Sequence, residues 1–115
     1  MAAIDQDFPK SIHYAAINCA TSGDNTLVAA VTGKIIRVMA MHLMSDADVL
    51  VRLESGAGGT AMTGIMSLED TNGRFITLPF SQVGWCQTAA SALLNLELSG
   101  AEDVDGLLAY ALIGN

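Results

Sequence analysis

Basic residues are scarce in this chain. Five Lys and Arg stand against twelve Asp and Glu among 115 residues, so the net charge is −7 at neutral pH. A nucleic-acid-binding protein needs a footprint of Lys and Arg that displaces counterions from phosphates. Attachment to an anionic membrane surface needs cationic side chains as well. We therefore expect neither nucleic acid nor membrane among the partners of this protein.

Cysteines and long apolar runs are also few. Cys19 and Cys86 define no disulfide framework, so two reduced thiols are the expected state, although their spacing leaves a pairing open. Residues 1–10 contain no apolar segment of the kind a signal peptide requires. The apolar run at residues 107–113 is much shorter than the roughly 18 residues of a transmembrane helix.

Apolar residues, by contrast, make up 51% of the chain, and they come in short runs. Clusters of Gly, Asn, Asp and Ser separate these runs at intervals of roughly 8–12 residues, which is typical of a β-sandwich or barrel. Residues 48–54 and 93–98 alternate between apolar and polar side chains, as half-buried strands do. We predict an all-β protein: a jelly-roll-like β-sandwich of about eight antiparallel strands over residues 11–115, preceded by a flexible N-terminal arm at residues 1–10.

Two glycine-containing segments predict connections between strands. Asn72-Gly73 is the strongest hairpin signal in the chain. The run Gly56-Ala57-Gly58-Gly59 superficially resembles a phosphate-binding loop, but no Lys follows it and the next segment reads as a strand. We therefore predict a mobile, exposed hairpin tip at residues 56–59.

Candidate catalytic and metal-binding residues are isolated from one another. His13 and His42 each lie within an apolar run, which favours a hydrogen-bonded core or interface His, and nothing marks either as the partner of Cys86 in a nucleophilic pair. The acidic run at residues 102–105 matches no calcium-binding loop. We predict a protein that is not an enzyme, with no cofactor and no metal site.

The run at residues 35–44 is apolar on both faces of a predicted strand. One face would carry Ile36, Val38, Ala40 and Met44 around His42, and the opposite face would carry Ile35, Met39, Met41 and Leu43 around Arg37. Since a small domain hides few strands on both sides, one face is expected to meet another subunit or protein. The predicted contact residues are Ile36, Val38, His42, Met44, Phe80 and Trp85.

From Ser22 onward the chain resembles a family of small virion proteins encoded beside the capsid genes of tailed phages. The resemblance covers about four-fifths of the chain. It is carried by residues 22–26 (SGDNT), 33–38 (GKIIRV), 54–64 (ESGAGGTAMTG), 78–80 (LPF), 84–85 (GW) and 92–98 (ALLNLEL).

This resemblance implies a capsid decoration, or cement, protein that is made in the host cytoplasm and sits on the virion surface. Such proteins are commonly jelly-roll-like homotrimers that bind the outside of the shell of major capsid protein and stabilise it. It implies no catalytic residues. Two alternatives remain open: a structural module of the tail or fibre, and a carbohydrate-binding β-sandwich. The second would need exposed aromatic residues on one face, and the chain has only one Trp, two Tyr and three Phe.

Overall fold

The computed structural model describes residues 11–114, and they form a β-sandwich of two antiparallel sheets. Ten strands build it: β1 (His13–Cys19), β2 (Gly23–Val28), β3 (Ile35–Ser45), β4 (Val49–Ser55), β5 (Thr60–Ala61), β6 (Met66–Leu68), β7 (Phe75–Leu78), β8 (Cys86–Gln87), β9 (Leu94–Leu98) and β10 (Val104–Ile113). A single 3-10 turn, Asp70–Asn72, lies between β6 and β7. No helix within the described residues is long and apolar enough to cross a membrane.

The strand order is that of a jelly roll, as predicted. Sheet A has the order β1-β10-β3-β7, and β8 also pairs with β3; sheet B has the order β2-β9-β4-β5, and β6 also pairs with β4. Because β7 and β8 lie along one edge of β3, and β5 and β6 along one edge of β4, ten segments fill eight strand positions. The domain boundary at residue 11 and the N-terminal arm lie at or beyond the start of the described residues and stay predictions.

The core lies between the two sheets. It consists of the inward-facing residues, which alternate with outward-facing residues along the strands. Sheet A contributes Ile17, Cys19, Ile36, Val38, Met41, Leu43, Val104 and Leu108, and sheet B contributes Val28, Val49, Val51, Leu53, Leu68, Leu94, Leu96 and Leu98. Each large side chain buried in this way stabilises the fold by about 1.5–3 kcal/mol relative to leaving it in water. The predicted alternation of residues 48–54 and 93–98 is confirmed.

A β-bulge at Met39 changes which residues of β3 face inward. Ala109 of β10 pairs with Ala40, whereas the next residue, Tyr110, pairs with Val38, so Met39 is an extra residue in β3. A bulge of one residue reverses the alternation on either side of it. Val38 therefore faces the same side as Met41.

Because of the bulge, the prediction is wrong for two of the six contact residues. Ile36 and Val38 are fully buried in the core between the sheets, so they cannot form part of an interface. The prediction assumed one unbroken alternation over residues 35–44 and so assigned them to the face of His42 and Met44. Those two residues do lie on the outer side of sheet A, because their cross-strand partners Leu107 and Asp105 are outward-facing residues of β10.

The hairpin predicted at Asn72-Gly73 is wrong, because β6 belongs to sheet B and β7 to sheet A. The segment crosses between the sheets instead. The backbone N–H of Glu69 donates to Asn72 Oδ1 at 3.1 Å, and Gly73 adopts the left-handed conformation (φ 80°) that ends the 3-10 turn. The Asn-Gly pair thus makes a tight turn, but the strands on either side of it enter different sheets and do not pair.

The hairpin tip predicted at residues 56–59 is confirmed as a connection, since β4 pairs with β5 directly across it. Ala57, Gly58 and Gly59 are exposed. The Gly58 N–H donates to Asp24 Oδ1 of β2 at 3.0 Å, which ties the loop to the outer side of sheet B. The mobility expected of this loop stays a prediction.

Candidate contact surface

The outer side of sheet A carries two charged side chains within the described strands, Asp105 and Arg37. We call the following residues of this side the sheet A outer face: Tyr14, Ala40, His42, Met44, Phe75, Thr77, Asp105, Leu107 and Ala109. Asp105 is its only carboxylate. These residues stand in cross-strand rows because the sheet pairs them in register, for example Leu107 opposite His42 and His42 opposite Thr77.

Large apolar side chains of the sheet A outer face are exposed. The exposed fractions are 70% for Tyr14, 54% for Met44, 51% for Phe75 and 53% for Leu107. A single exposed apolar residue is ordinary, but a contiguous group on one sheet marks an interaction surface. A groove of about 470 Å³ runs across this face from Tyr14 to Phe80.

His42 lies at the centre of the sheet A outer face. Its Nδ1 is 2.7 Å from Thr77 Oγ1, and its ring centroid is 6.3 Å from that of Phe75. His42 is therefore the hydrogen-bonded histidine that its apolar surroundings predicted. Cys86 pairs with Val38 in register and packs against the core, whereas His42 faces outward, so the two do not form a nucleophilic pair.

A loop at the edge of sheet A carries the two aromatic residues predicted as contacts. This edge loop, residues 79–85, bulges away between β7 and β8 and is anchored to β3: Ser81 N–H donates to Met39 O at 2.9 Å and Trp85 N–H to Val38 O at 2.8 Å. Trp85 Nε1 donates to Pro79 O at 2.8 Å, which closes the loop on itself. Phe80, Val83 and Trp85 are all exposed. Contact roles for His42, Met44, Phe80 and Trp85 stay predictions.

The outer side of sheet B is charged. Asp24 of β2, Arg52 and Glu54 of β4, and Asn95 and Glu97 of β9 meet there in one polar cluster. Glu54 is only 1% exposed, and Arg52 Nε (3.0 Å) and Asn95 Nδ2 (2.9 Å) both donate to it. Arg52 Nη2 also lies 3.2 Å from Glu97 Oε1.

The contact between Glu54 and Glu97 shifts their pKa values in opposite directions. A hydrogen bond from Glu97 lowers the pKa of Glu54, and the same contact raises the pKa of Glu97. When the pair binds one proton, Glu97 is the residue that holds it, because Arg52 and Asn95 favour the ionised form of Glu54. This arrangement satisfies a buried carboxylate that would otherwise be costly.

Carboxylate oxygens of Asp24, Glu54 and Glu97 lie within 4.8 Å of one another, close enough to gather around a cation. Their positions are explained without one, because Arg52, Asn95 and the Gly58 N–H already hold them. Sequence reasoning missed this cluster. The alternation in β4 and β9 does place Glu54 and Glu97 outward, but only the strand register shows that they are neighbours of Asp24.

One end of the sandwich is acidic. Cys19 and Ser45 both pair with Val104, so the turns after β3 and before β10 lie at the same end, together with the turn before β7. These turns hold six carboxylates and one Arg: Asp46, Asp48, Glu69, Asp70, Glu102, Asp103 and Arg74. Most of the negative charge of the described residues thus lies away from the sheet A outer face.

The two cysteines are free thiols in the structure. Cys19 is buried in β1, and Cys86 in β8 is half-buried. Burial raises the pKa of both thiols, which keeps them protonated and unreactive at neutral pH.

A scan of protein-family models finds no match to this chain, and none of the curated proteins matches it either.

Proposed function

We propose that this chain is a non-enzymatic structural protein of a tailed-phage virion, a decoration protein that binds the outside of the major capsid protein shell as a homotrimer and stabilises it. The observation that carries the proposal is the exposed sheet A outer face, which holds a single carboxylate, on a jelly-roll sandwich. Viral capsid proteins are among the uses of this fold, which does not by itself imply a function. The sequence resemblance supplies the specific role.

The charge distribution supports assembly through contacts rather than chemistry. Association through apolar surface gains roughly 25 cal/mol per Å², from which the entropic cost of docking must be subtracted. Copies that each carry −7 repel one another least when the surfaces that meet hold few carboxylates. The sheet A outer face fits that condition, whereas the outer side of sheet B does not.

The proposal is tested by binding to shells. Purified protein is added to shells assembled from the neighbouring capsid protein, and pelleting with the shells and a raised shell melting temperature are expected. Isolated tails serve as the second arm. Binding to tails and not to shells would support the tail module, and binding to neither would overturn a virion role.

A carbohydrate-binding function is the second candidate, because Tyr14 and Phe80 flank the groove and Trp85 lies in the edge loop beside it. Aromatic side chains present flat apolar surface to sugar rings. A glycan array tests for carbohydrate binding. Binding that Phe80→Ala abolishes, in a protein that does not pellet with shells, would favour this function over decoration.

A further inference from the structure

Two exposed aromatic positions lie at opposite edges of sheet A and at the same height along its strands. Tyr14 of β1 pairs with Ala109, which pairs with Ala40. Pro79 follows Leu78, whose partner is Met41, so the start of the edge loop is level with Ala40. Tyr14 and the edge loop therefore end one cross-strand row, about 14 Å apart at roughly 4.8 Å per strand.

The two edges of sheet A differ in shape. Strand β1 has seven residues, and within the described residues no strand pairs with its outer edge. Its residues include no Asp, Glu, Lys, Arg or Pro, and β1 pairs with β10 without a register shift, so it lacks the devices with which monomers usually protect an edge. The opposite edge is interrupted by the edge loop, where Phe80 and Val83 project into solvent.

We propose that the sheet A outer faces of three copies pack around a threefold axis parallel to the strands, with the edge loop of each copy against β1 and Tyr14 of the next. This arrangement rests on the homotrimer of the proposed function and assigns its interface. A ring needs two different surfaces at one height, since each contact joins unlike edges. Tyr14 and Phe80 meet that requirement.

The charges of the molecule agree with this arrangement. Leu107 and His42 belong to the two middle strands of sheet A, so they lie nearest the axis, and their cross-strand row holds no charged carboxylate. Arg37, the cation on this side, donates to Gln87 Oε1 at 3.0 Å and so is held toward the β8 edge. Asp105 is the one carboxylate of the sheet A outer face. It pairs with Met44 in the cross-strand row nearest the acidic end, where the space around the axis is open to solvent. The cluster of Asp24, Glu54 and Glu97 points outward from the ring.

The first test uses Leu107→Glu in the full chain, which brings three carboxylates together at the axis. Light scattering behind a sizing column is expected to give three times 12.0 kDa for the unaltered protein and 12.0 kDa for the variant. Ile65→Glu is the matched control. Ile65 is as exposed as the face residues but precedes β6 in sheet B, so this variant is expected to remain trimeric. Circular dichroism confirms that each variant is folded, and Tyr14→Glu replaces Leu107→Glu if that variant unfolds.

The second test examines the unlike contact directly. A chain with Tyr14→Cys, Phe80→Cys and Cys86→Ser is treated with a short bis-maleimide, and a covalent trimer is expected on a denaturing gel. Chains with only one of the two introduced thiols are expected to stay monomeric on the gel.

Each outcome has one meaning. A trimer that survives both Leu107→Glu and Tyr14→Glu overturns this interface but leaves the proposed homotrimer intact. A monomer at every concentration of the unaltered protein overturns the homotrimer and the interface together. A dimer, or cross-linking by a single introduced thiol, shows a two-fold contact and overturns the ring.

Discussion

Leu53 and Leu50 show how strongly the surroundings of a side chain determine its contribution to the stability of this protein. Both belong to β4, but Leu53 is fully buried between the sheets and Leu50 is partly exposed on the outer side of sheet B. The cost of removing a side chain depends on the contacts and the cavity left behind. Identical leucines three residues apart therefore have different roles.

We expect Leu53→Ala to lower the free energy of unfolding by about 2–5 kcal/mol, because it empties part of a packed core. Leu50→Ala is expected to change it by about 0.5 kcal/mol, as an exposed site does. Urea denaturation of both variants measures the difference. Equal losses would show that the two sheets do not pack closely at β4.

The Glu54–Glu97 pair makes a pH-dependent contribution to stability. The pKa of Glu97 is raised, so its contribution is complete below the ordinary carboxyl pKa and is lost as pH rises through the raised value. The pKa of Glu54 is lowered, so its contribution is present above the ordinary value and is lost as pH falls through the lowered one. The pair stabilises the fold most between these two pKa values.

We expect Glu97→Gln to remove the loss at higher pH, because the amide keeps donating to Glu54 and cannot ionise. Unfolding free energies measured over a pH series that passes through the raised pKa of Glu97 would then decline in the unaltered protein and stay level in the variant. Glu102→Gln, in the turn before β10, is the control and should follow the unaltered protein. An unchanged decline in Glu97→Gln would exclude ionisation of Glu97 as its cause.

At the scale of elements, the pairing of β3 with β10 organises sheet A. These are the two longest strands, with eleven and ten residues, and they carry both the bulge and the centre of the sheet A outer face. Their backbones approach closely at Gly106. A Cβ atom built there would lie 1.7 Å from the backbone oxygen of His42, which no side-chain adjustment relieves.

We expect Gly106→Ala to destabilise the protein by at least about 1–3 kcal/mol, because the two strands must separate to admit the methyl group. Gly100→Ala is the control, since a Cβ atom there meets nothing within 4 Å. Thermal denaturation compares the two. A melting temperature unchanged by Gly106→Ala would contradict this close approach of the strands.

Prediction from the sequence succeeded where a strand alternates without interruption. Residues 48–54 and 93–98 alternate in the sequence and correspond to β4 and β9. It failed at residues 35–44, because a bulge depends on the partner strand and leaves no signal in local alternation. Residues 60–68 are likewise divided by the tertiary structure into β5 and β6, which are separated where the chain passes Gly64.

At the scale of the whole molecule, both sheets contribute to one core. Leu108 of sheet A and Leu96 of sheet B belong to the same large buried cluster. Sheet A adds a small cluster of its own, Met39, Ala109 and Ala111. Small single domains usually unfold in one cooperative step.

We expect both sheets to unfold together. Trp85 fluorescence reports on the edge of sheet A, and far-ultraviolet circular dichroism reports on the strands of both sheets. At one protein concentration the two urea transitions should coincide, and Leu53→Ala in sheet B should shift both equally. A fluorescence transition at lower urea would show that the edge loop opens before the sandwich does.

The amino-acid sequence by itself determined the fold class, the low basic content and most of the strands of this protein, because these depend on composition and local periodicity. Only the tertiary structure decided that Ile36 and Val38 face the core, that Glu54, Asp24 and Glu97 meet, and that the sheet A outer face holds a single carboxylate. The physical reason is that a face, a cluster and a bulge are properties of paired strands. Register between residues distant in the chain creates them, and no single segment contains that information.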